Sequence, residues 1–164
     1  MTILGIDPGL ATMGWGVIGT DGNHHHMRGY GALITKPDQT MPARLNLLFD
    51  SVVELIRIYT PDAIAFEELF FSKNVSTAMA VGAARGVSLL AAARFTTQLF
   101  EYTPMQVKQA ITGYGKADKT QMQWMVRVLL NLDDLPKPDD AADALAVAIA
   151  HAHTLKSADE FRIK

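Results

Sequence analysis

Thr2-Ile3-Leu4-Gly5-Ile6-Asp7-Pro8-Gly9 is an apolar run that ends in a carboxylate and a turn. It predicts a buried strand, because Pro8-Gly9 stops the extended chain directly after Asp7. Alternation along a strand places Asp7 on the face of Gly5, where the missing side chain leaves room for a metal ion or a backbone. A carboxylate beside apolar residues is costly to bury unless a cation or hydrogen-bond donors meet it. Asp7 is therefore either a functional acid or a cap of the turn.

Length and composition bound the class of protein. A chain of 164 residues that is 49% hydrophobic predicts one domain, residues 1–164. No apolar run is long enough to span a bilayer, and no basic, signal-like start precedes the first strand, which predicts a cytoplasmic protein without membrane contact. The absence of cysteine excludes disulfides, thiolate nucleophiles and cysteine-type zinc sites.

The net charge of −2 conceals a basic segment. Residues 73–127 carry seven basic and two acidic side chains, whereas the chain on either side is acidic. Such a segment either binds a polyanion or forms a solvated surface. Its basic residues are Lys73, Arg85, Arg94, Lys108, Lys116, Lys119 and Arg127.

Hydrophobic periodicity predicts a mixed α/β chain that opens with an antiparallel meander around a hairpin at Asp21-Gly22. The histidines after this hairpin are expected to be exposed turn residues, because consecutive residues of a strand alternate sides and cannot all share a metal. They are His24, His25 and His26. The further predicted elements are strands over 13–18, 27–34, 63–66 and 98–102 and helices over 43–59, 75–95 and 104–111, with a last helix from residue 139.

A second short strand, Ala63–Phe66, also ends in acids, Glu67 and Glu68. If it runs parallel to the first strand, its carboxyl end meets Asp7 at the same edge of the sheet. Alternation alone does not decide which glutamate faces Asp7.

Two further acids open the last helix. Asp140 and Asp143 are three residues apart, so they lie on one helical face and repel each other unless a cation intervenes. N-capping and complementarity to the helix dipole are the alternative explanation. His151 lies on the same stripe about 16 Å from Asp140, too far to share a metal.

The basic segment contains candidate contacts for a nucleic acid. Phe70 followed by Lys73 is typical either of a base-stacking element beside a phosphate contact or of a strand-end core residue. Lys119 at a helix start after two glycines suits a backbone phosphate, although Asp118 rules out a P-loop. On the preceding long helix, small residues recur every four positions and favour either a helix crossing inside the core or a dimer contact. They are Ala78, Gly82 and Gly86.

Taken together, these motifs resemble those of RuvC-type Holliday junction endonucleases of the ribonuclease H-like superfamily. The resemblance is carried by Gly5-Ile6-Asp7-Pro8-Gly9, Glu67, Phe70 with Lys73-Asn74, Ala84-Arg85-Gly86, Gln106-Val107-Lys108-Gln109, Lys119 and Asp140-Ala141-Ala142-Asp143. It implies a ribonuclease H-like mixed five-stranded sheet with helices on both faces.

The resemblance also implies the site. Its metal-binding and catalytic acids are Asp7, Glu67, Asp140 and Asp143, whereas Glu68 and Asp139 match no family acid. The four matching acids would hold two Mg²⁺ ions, or Mn²⁺ in their place, for hydrolysis of a phosphodiester. Lys119 would assist catalysis, and the DNA contacts would come from Phe70, Lys73, Arg85, Lys108, Lys116 and Lys119.

The resemblance further implies a homodimer that nicks two strands of a four-way DNA junction symmetrically during recombination and repair, together with a branch-migration helicase. The products would carry 5′-phosphate and 3′-hydroxyl ends. One alternative is a junction-binding module whose acids no longer catalyse. The other is an actin-like phosphotransferase, for which 164 residues leave no room for a second lobe.

Overall fold

The computed structural model describes residues 1–68, 75–96 and 98–164, and for residues 75–77 the backbone alone. Its strands are β1 (Thr2–Asp7), β2 (Thr12–Asp21), β3 (His24–Ile34), β4 (Ala63–Glu67) and β5 (Leu99–Tyr102). Its α-helices are α1 (Met41–Tyr59), α2 (Val75–Ala93), α3 (Pro104–Thr112), α4 (Lys119–Leu129) and α5 (Asp139–His153), followed by a 3₁₀ helix, Leu155–Phe161. None of the helices in the described ranges is long and apolar enough to cross a membrane.

The five strands form one mixed sheet in the order β3-β2-β1-β4-β5. The first three strands are antiparallel, and β4 then runs parallel to both β1 and β5. The register aligns Ile6 with Phe66, so the acids that follow these two residues end neighbouring parallel strands at one edge. The predicted parallel pairing is thus confirmed.

Helices cover both faces of the sheet, as predicted. On one face, α1 and α2 pack over Leu4, Ile6, Ile64 and Phe66. On the other face, α3, α4 and α5 pack over Ile3, Ala63, Ala65 and Tyr102. Every other residue of β1 and β4 therefore faces the helix that carries Asp140 and Asp143.

Glycines in β1 and β2 let α5 lie unusually close to the sheet. A side chain at Gly5 would begin 2.1 Å from the carbonyl oxygen of Ala144, and one at Gly14 would begin 1.9 Å from that of Asp140. No real side chain tolerates such distances, so both positions require glycine for packing. The space predicted beside Asp7 is filled by a helix backbone.

Two local predictions differ from the structure. The hairpin turn is Gly22-Asn23 rather than Asp21-Gly22, because Asp21 still pairs with His24 and Gly22 takes the positive φ of +62°. The three histidines lie in β3, not in a turn. His25 is half-buried, with its Nδ1 2.8 Å from the Thr20 hydroxyl and its ring 5.0 Å from that of His153.

Candidate active site

Asp7 and Glu67 form a hydrogen-bonded carboxyl pair at the ends of β1 and β4. Both side chains point to the face of α5, since Ile3 and Ala65 on the same strand faces pack in that core. Glu68 is exposed, and its backbone N–H donates to the carbonyl of Tyr102 at 2.8 Å. The structure therefore resolves which glutamate faces Asp7, a choice that strand alternation left open.

The surroundings of this pair favour the protonated forms. Burial raises the pKa of Asp7, and the charge of Glu67 adds to the rise. Burial also raises the pKa of Glu67, although the hydrogen bond with Asp7 opposes this. Two carboxyl groups can share a hydrogen bond only while one of them keeps a proton. A bound cation would replace that proton as the neutralising charge.

Asp140 and Asp143 belong to the first two turns of α5, which the glycine contacts hold against β1 and β2. Both residues raise the pKa of Asp7 through their charge, so their negative charges are felt at the carboxyl pair. Burial raises the pKa of Asp143 itself, with Lys119 opposing the rise. The four predicted acids therefore lie near one edge of the sheet, where the charges of the other three act on Asp7.

These acids do not form a closed ligand shell. Within the described ranges, no group of three or more His, Asp or Glu side chains is arranged to hold a metal ion. The reason lies in the local pairing: Asp7 and Glu67 bind each other, while an oxygen of Asp143 lies 3.6 Å from the Lys119 ammonium. The donor set is all oxygen, which suits a hard divalent cation such as Mg²⁺.

A cleft of about 220 Å³ opens beside the carboxyl pair. Cations line it next to Glu67 and Asp143: Lys108 from α3 and Lys119 from the start of α4. Both lysines lower the pKa of Glu67 through their charge. The cleft therefore joins a group that can hold cations to side chains that attract an anion such as a phosphate.

Asp139 is the residue of this region that the sequence analysis passed over. Its carboxylate lies 2.9 Å from the Lys119 ammonium and accepts a hydrogen bond of 2.8 Å from Gln123. Its hydrogen bond raises the pKa of Lys119, and Lys119 in turn lowers that of Asp139. The signal in the sequence was an aspartate directly before Asp140 in the first turn of α5.

The remaining predicted DNA contacts have different settings. Phe70 and Lys73 lie outside the described residues. Lys116 is exposed in the loop between α3 and α4. Arg85 is ion-paired with Glu101 of β5 and its side chain is 22% exposed, so the structure gives it a role in joining α2 to the sheet. A DNA contact by any of these four residues stays a prediction.

A mixed five-stranded sheet with acids at the ends of its central parallel strands, and an acid-bearing helix across them, is the arrangement of ribonuclease H-like proteins. The model of the family "Crossover junction endodeoxyribonuclease RuvC" matches residues 3–151. The chain belongs to the RuvC family.

Individual relatives agree with this assignment. A crossover junction endodeoxyribonuclease RuvC of Alkaliphilus oremlandii is 54% identical over the full length of both chains. The RuvC of Rubrobacter xylanophilus is 61% identical over 92% of this chain and 84% of its own. The solved structure of Thermus thermophilus RuvC in complex with a Holliday junction substrate has a TM-score of 0.88 and 34% identity over 96% of each chain. The relatives are named as nucleases, and nothing in the comparisons favours a module that has lost catalysis.

Proposed function

We propose that this protein resolves four-way DNA junctions by nicking two strands symmetrically. The observation that carries the proposal is the hydrogen-bonded pair of Asp7 and Glu67, which faces Asp140 and Asp143 beside a lysine-lined cleft. Membership of the RuvC family supports the reaction class, and the Thermus thermophilus relative bound to a Holliday junction supports the substrate. The reaction is hydrolysis of a phosphodiester to a 5′-phosphate and a 3′-hydroxyl, in recombination and repair.

Asp7, Glu67, Asp140 and Asp143 would hold the metal, which we propose to be two Mg²⁺ ions, with Mn²⁺ as a substitute. Bound divalent cations supply an activated water and stabilise the charge that develops on the phosphate. Oxygen donors crowded enough to raise their own pKa values fit this role, because a cation relieves their repulsion. Asp143 must then turn from Lys119 toward the carboxyl pair.

Lys119 and Lys108 orient the substrate in this proposal. Each places a cation at the cleft wall, so a strand can be drawn in by charge before any bond is broken. The Lys119 ammonium lies between Asp139 and Asp143, and a phosphate oxygen would exchange for one of these carboxylates. Its raised pKa keeps it charged throughout the working pH range.

Cleavage of synthetic junctions tests the proposal. The protein is incubated with a four-way junction and with a linear duplex of the same sequence, in Mg²⁺, in Mn²⁺ and in EDTA. We expect paired nicks at symmetric positions in the junction, sealed by DNA ligase without further treatment, in either cation and none in EDTA. Equal cutting of duplex and junction would contradict the substrate assignment, and products that ligase cannot seal would contradict the proposed ends.

A homodimer is part of the same proposal, because a junction offers two equivalent strands. The long helix α2 supports it: apart from the local helix backbone and chain neighbours, no described atom lies within 4 Å of where a side chain would begin at Gly82 or Gly86, and Met79 and Leu90 are exposed. A second copy would cover these positions, with Ala78 on the same stripe. Light scattering at micromolar concentration should give twice the chain mass of 17.9 kDa. A monomer in the presence and absence of junction DNA would refute it.

The proposed setting is the cytoplasm, with a branch-migration helicase as the partner. Its support is the resemblance alone. The branch-migration helicase of the same organism should move the crossover of more junctions to a position where the protein can cut, and it should thereby raise the rate of nicking. An unchanged rate across a range of helicase concentrations would count against a functional complex.

A further inference from the structure

A groove of about 460 Å³ lies between α4 and the loop that precedes it, and the acid site does not use it. Two aromatic side chains line this groove, Tyr114 and Trp124, and they are 58% and 54% exposed. Exposing two large aromatic rings at one place is unfavourable in water, and such patches mark binding surfaces. The remaining lining residues are Thr112, Ala117, Thr120, Gln121 and Met125.

The groove continues the proposed substrate path. Lys119 and Met122 of α4 face the cleft, while Thr120 and Gln121, on the neighbouring side of the same helix, face the groove. Trp124 is five residues from Lys119, about 7.5 Å along the helix axis and about 140° around it, at ~1.5 Å and about 100° per residue. One DNA strand advances about 3.4 Å per nucleotide, so the groove lies about two to four nucleotides from a phosphate at Lys119.

Charge identifies the occupant as nucleic acid rather than protein. Lys116 is exposed in the loop beside Tyr114, and Lys119 opens α4 on the side of the cleft. The acid between them, Asp118, caps α4 by accepting a hydrogen bond from the Gln121 backbone N–H. Aromatic faces next to lysines are the combination that binds unpaired bases while neutralising their phosphates. The basic segment, with seven basic side chains against two acidic ones, contains the whole groove.

We propose that this groove binds an unpaired nucleobase of the junction, about two to four nucleotides from the phosphate at Lys119, stacked on Trp124 and Tyr114. The inference rests on the proposed function, since the base must belong to the strand that enters the cleft. Bases near a crossover are available for this, because their stacking is interrupted there. The groove thereby helps to set which phosphate reaches the acids.

Fluorescence tests the contact directly. The chain has two tryptophans, and Trp15 packs against Tyr59 on the sheet, so Trp15→Phe leaves Trp124 as the single emitter. Titration with a four-way junction in EDTA should quench its emission saturably, and a linear duplex of the same sequence should quench it much less. As a second measurement with the unaltered protein, 2-aminopurine should change its emission on binding at one or more of the positions about two to four nucleotides from the nick. The same probe placed eight nucleotides away should not change.

Substitutions test the energetic contribution. Trp124→Ala should weaken junction binding about tenfold, the order expected for losing one stacked base, and Trp124→Phe should restore most of it. Val128→Ala is the matched control, since Val128 lies on the same helix, is 49% exposed and is outside the groove. Tyr114→Phe should bind normally and Tyr114→Ala should not.

The inference fails if saturating junction leaves the Trp124 emission and the 2-aminopurine signal unchanged while the protein still nicks the junction. In that case a protein partner is the better occupant of the groove, and the proposed function stands. It also fails if Trp124→Ala and Val128→Ala bind the junction equally. If the unaltered protein neither binds nor nicks junctions, the proposed function itself fails.

Discussion

The two ends of α5 treat buried ionisable groups in opposite ways. At its beginning, Asp140 and Asp143 face the carboxyl pair, and like charges accumulate. At its end, the His151 side chain is fully buried, and its Nδ1 lies 2.8 Å from the Tyr102 hydroxyl. That hydroxyl lies a further 2.8 Å from the hydroxyl of Thr154. At the second site neutral hydroxyls meet the Nδ1 atom, and the buried Nε2 has no hydrogen-bond partner among the described residues, whereas the first site requires positive charge.

Burial disfavours the charged form at both ends, yet the consequences differ. It lowers the pKa of His151 to about 4, so this ring is neutral at pH 7 without any further partner. It raises the pKa of Asp7 and Asp143, so the negative charge of these acids at pH 7 has to be neutralised by a bound proton or by a cation. A buried ionisable group that serves packing, such as His151, is thus uncharged at pH 7, whereas the acids beside the cleft are held where their charged forms are disfavoured.

Neutralising the acids should have the largest effect. We expect Asp7→Asn, Glu67→Gln, Asp140→Asn and Asp143→Asn each to lower divalent-cation-dependent nicking by a hundredfold or more, because charge stabilisation at the phosphate is lost. Single-turnover cleavage of a four-way junction measures this. Glu68→Gln is the matched control and should remain active, since Glu68 is exposed and points away from the pair. Four active variants would remove the distinction between the two ends of α5.

The histidine end should respond to acid. The folded protein holds His151 with a pKa of about 4 against 6.5 in the unfolded chain, so the unfolded state binds more protons between these values. The contribution of neutral His151 to the free energy of unfolding is therefore fully present above pH 6.5. It falls by about 3 kcal/mol as the pH drops to 4. Urea unfolding at several pH values measures the loss. His151→Phe should flatten this pH dependence, and an equally steep curve in the variant would assign it to other groups.

The acid end should show the opposite slope when metal is removed. Carboxyl groups with raised pKa values bind more protons in the folded state, so stability in EDTA should fall as the pH rises above their usual range. Asp7→Asn removes one of these charges, so its free energy of unfolding at pH 8 should exceed that of the parent protein by about 1 kcal/mol. The difference should shrink toward pH 5. Denaturation in EDTA measures it. Added Mg²⁺ should stabilise the parent and not the variant, and the reverse would disprove a cation site at Asp7.

The smallest effect should come from Asp139. Asp139→Asn frees the Lys119 ammonium from its nearest carboxylate but leaves the four acids in place, so nicking should change by less than about threefold. Lys119→Ala is the contrast and should lose about tenfold or more, with a shallower dependence of binding on salt. A hundredfold loss in Asp139→Asn would move it into the group of essential acids.

The sequence was enough to predict which strand ends meet at one edge of the sheet, but not which side chains pair at that edge. Strands that end in acids, together with a crossover helix, predict that Asp7 meets an acid at the end of the second strand, because strand direction is a backbone property. Alternation left open whether that acid is Glu67 or Glu68. The engagement of Lys119 by Asp139, and of Arg85 by Glu101, depends on competition between side chains from distant elements. Local spacing carries no record of that competition. The same limit explains His25, whose partners Thr20 and His153 come together only in the folded chain.

The close seating of α5 on Gly5 and Gly14 has a consequence for biosynthesis. Asp7 leaves the ribosome more than 130 positions ahead of Asp140 and Asp143. A nascent or truncated chain that ends before α5 contains half of the acids and lacks the helix that covers them. Contacts between such distant segments form late. A nuclease assembled in this way is inactive until α5 has been synthesised, so fragments of the protein that lack this helix do not cut DNA.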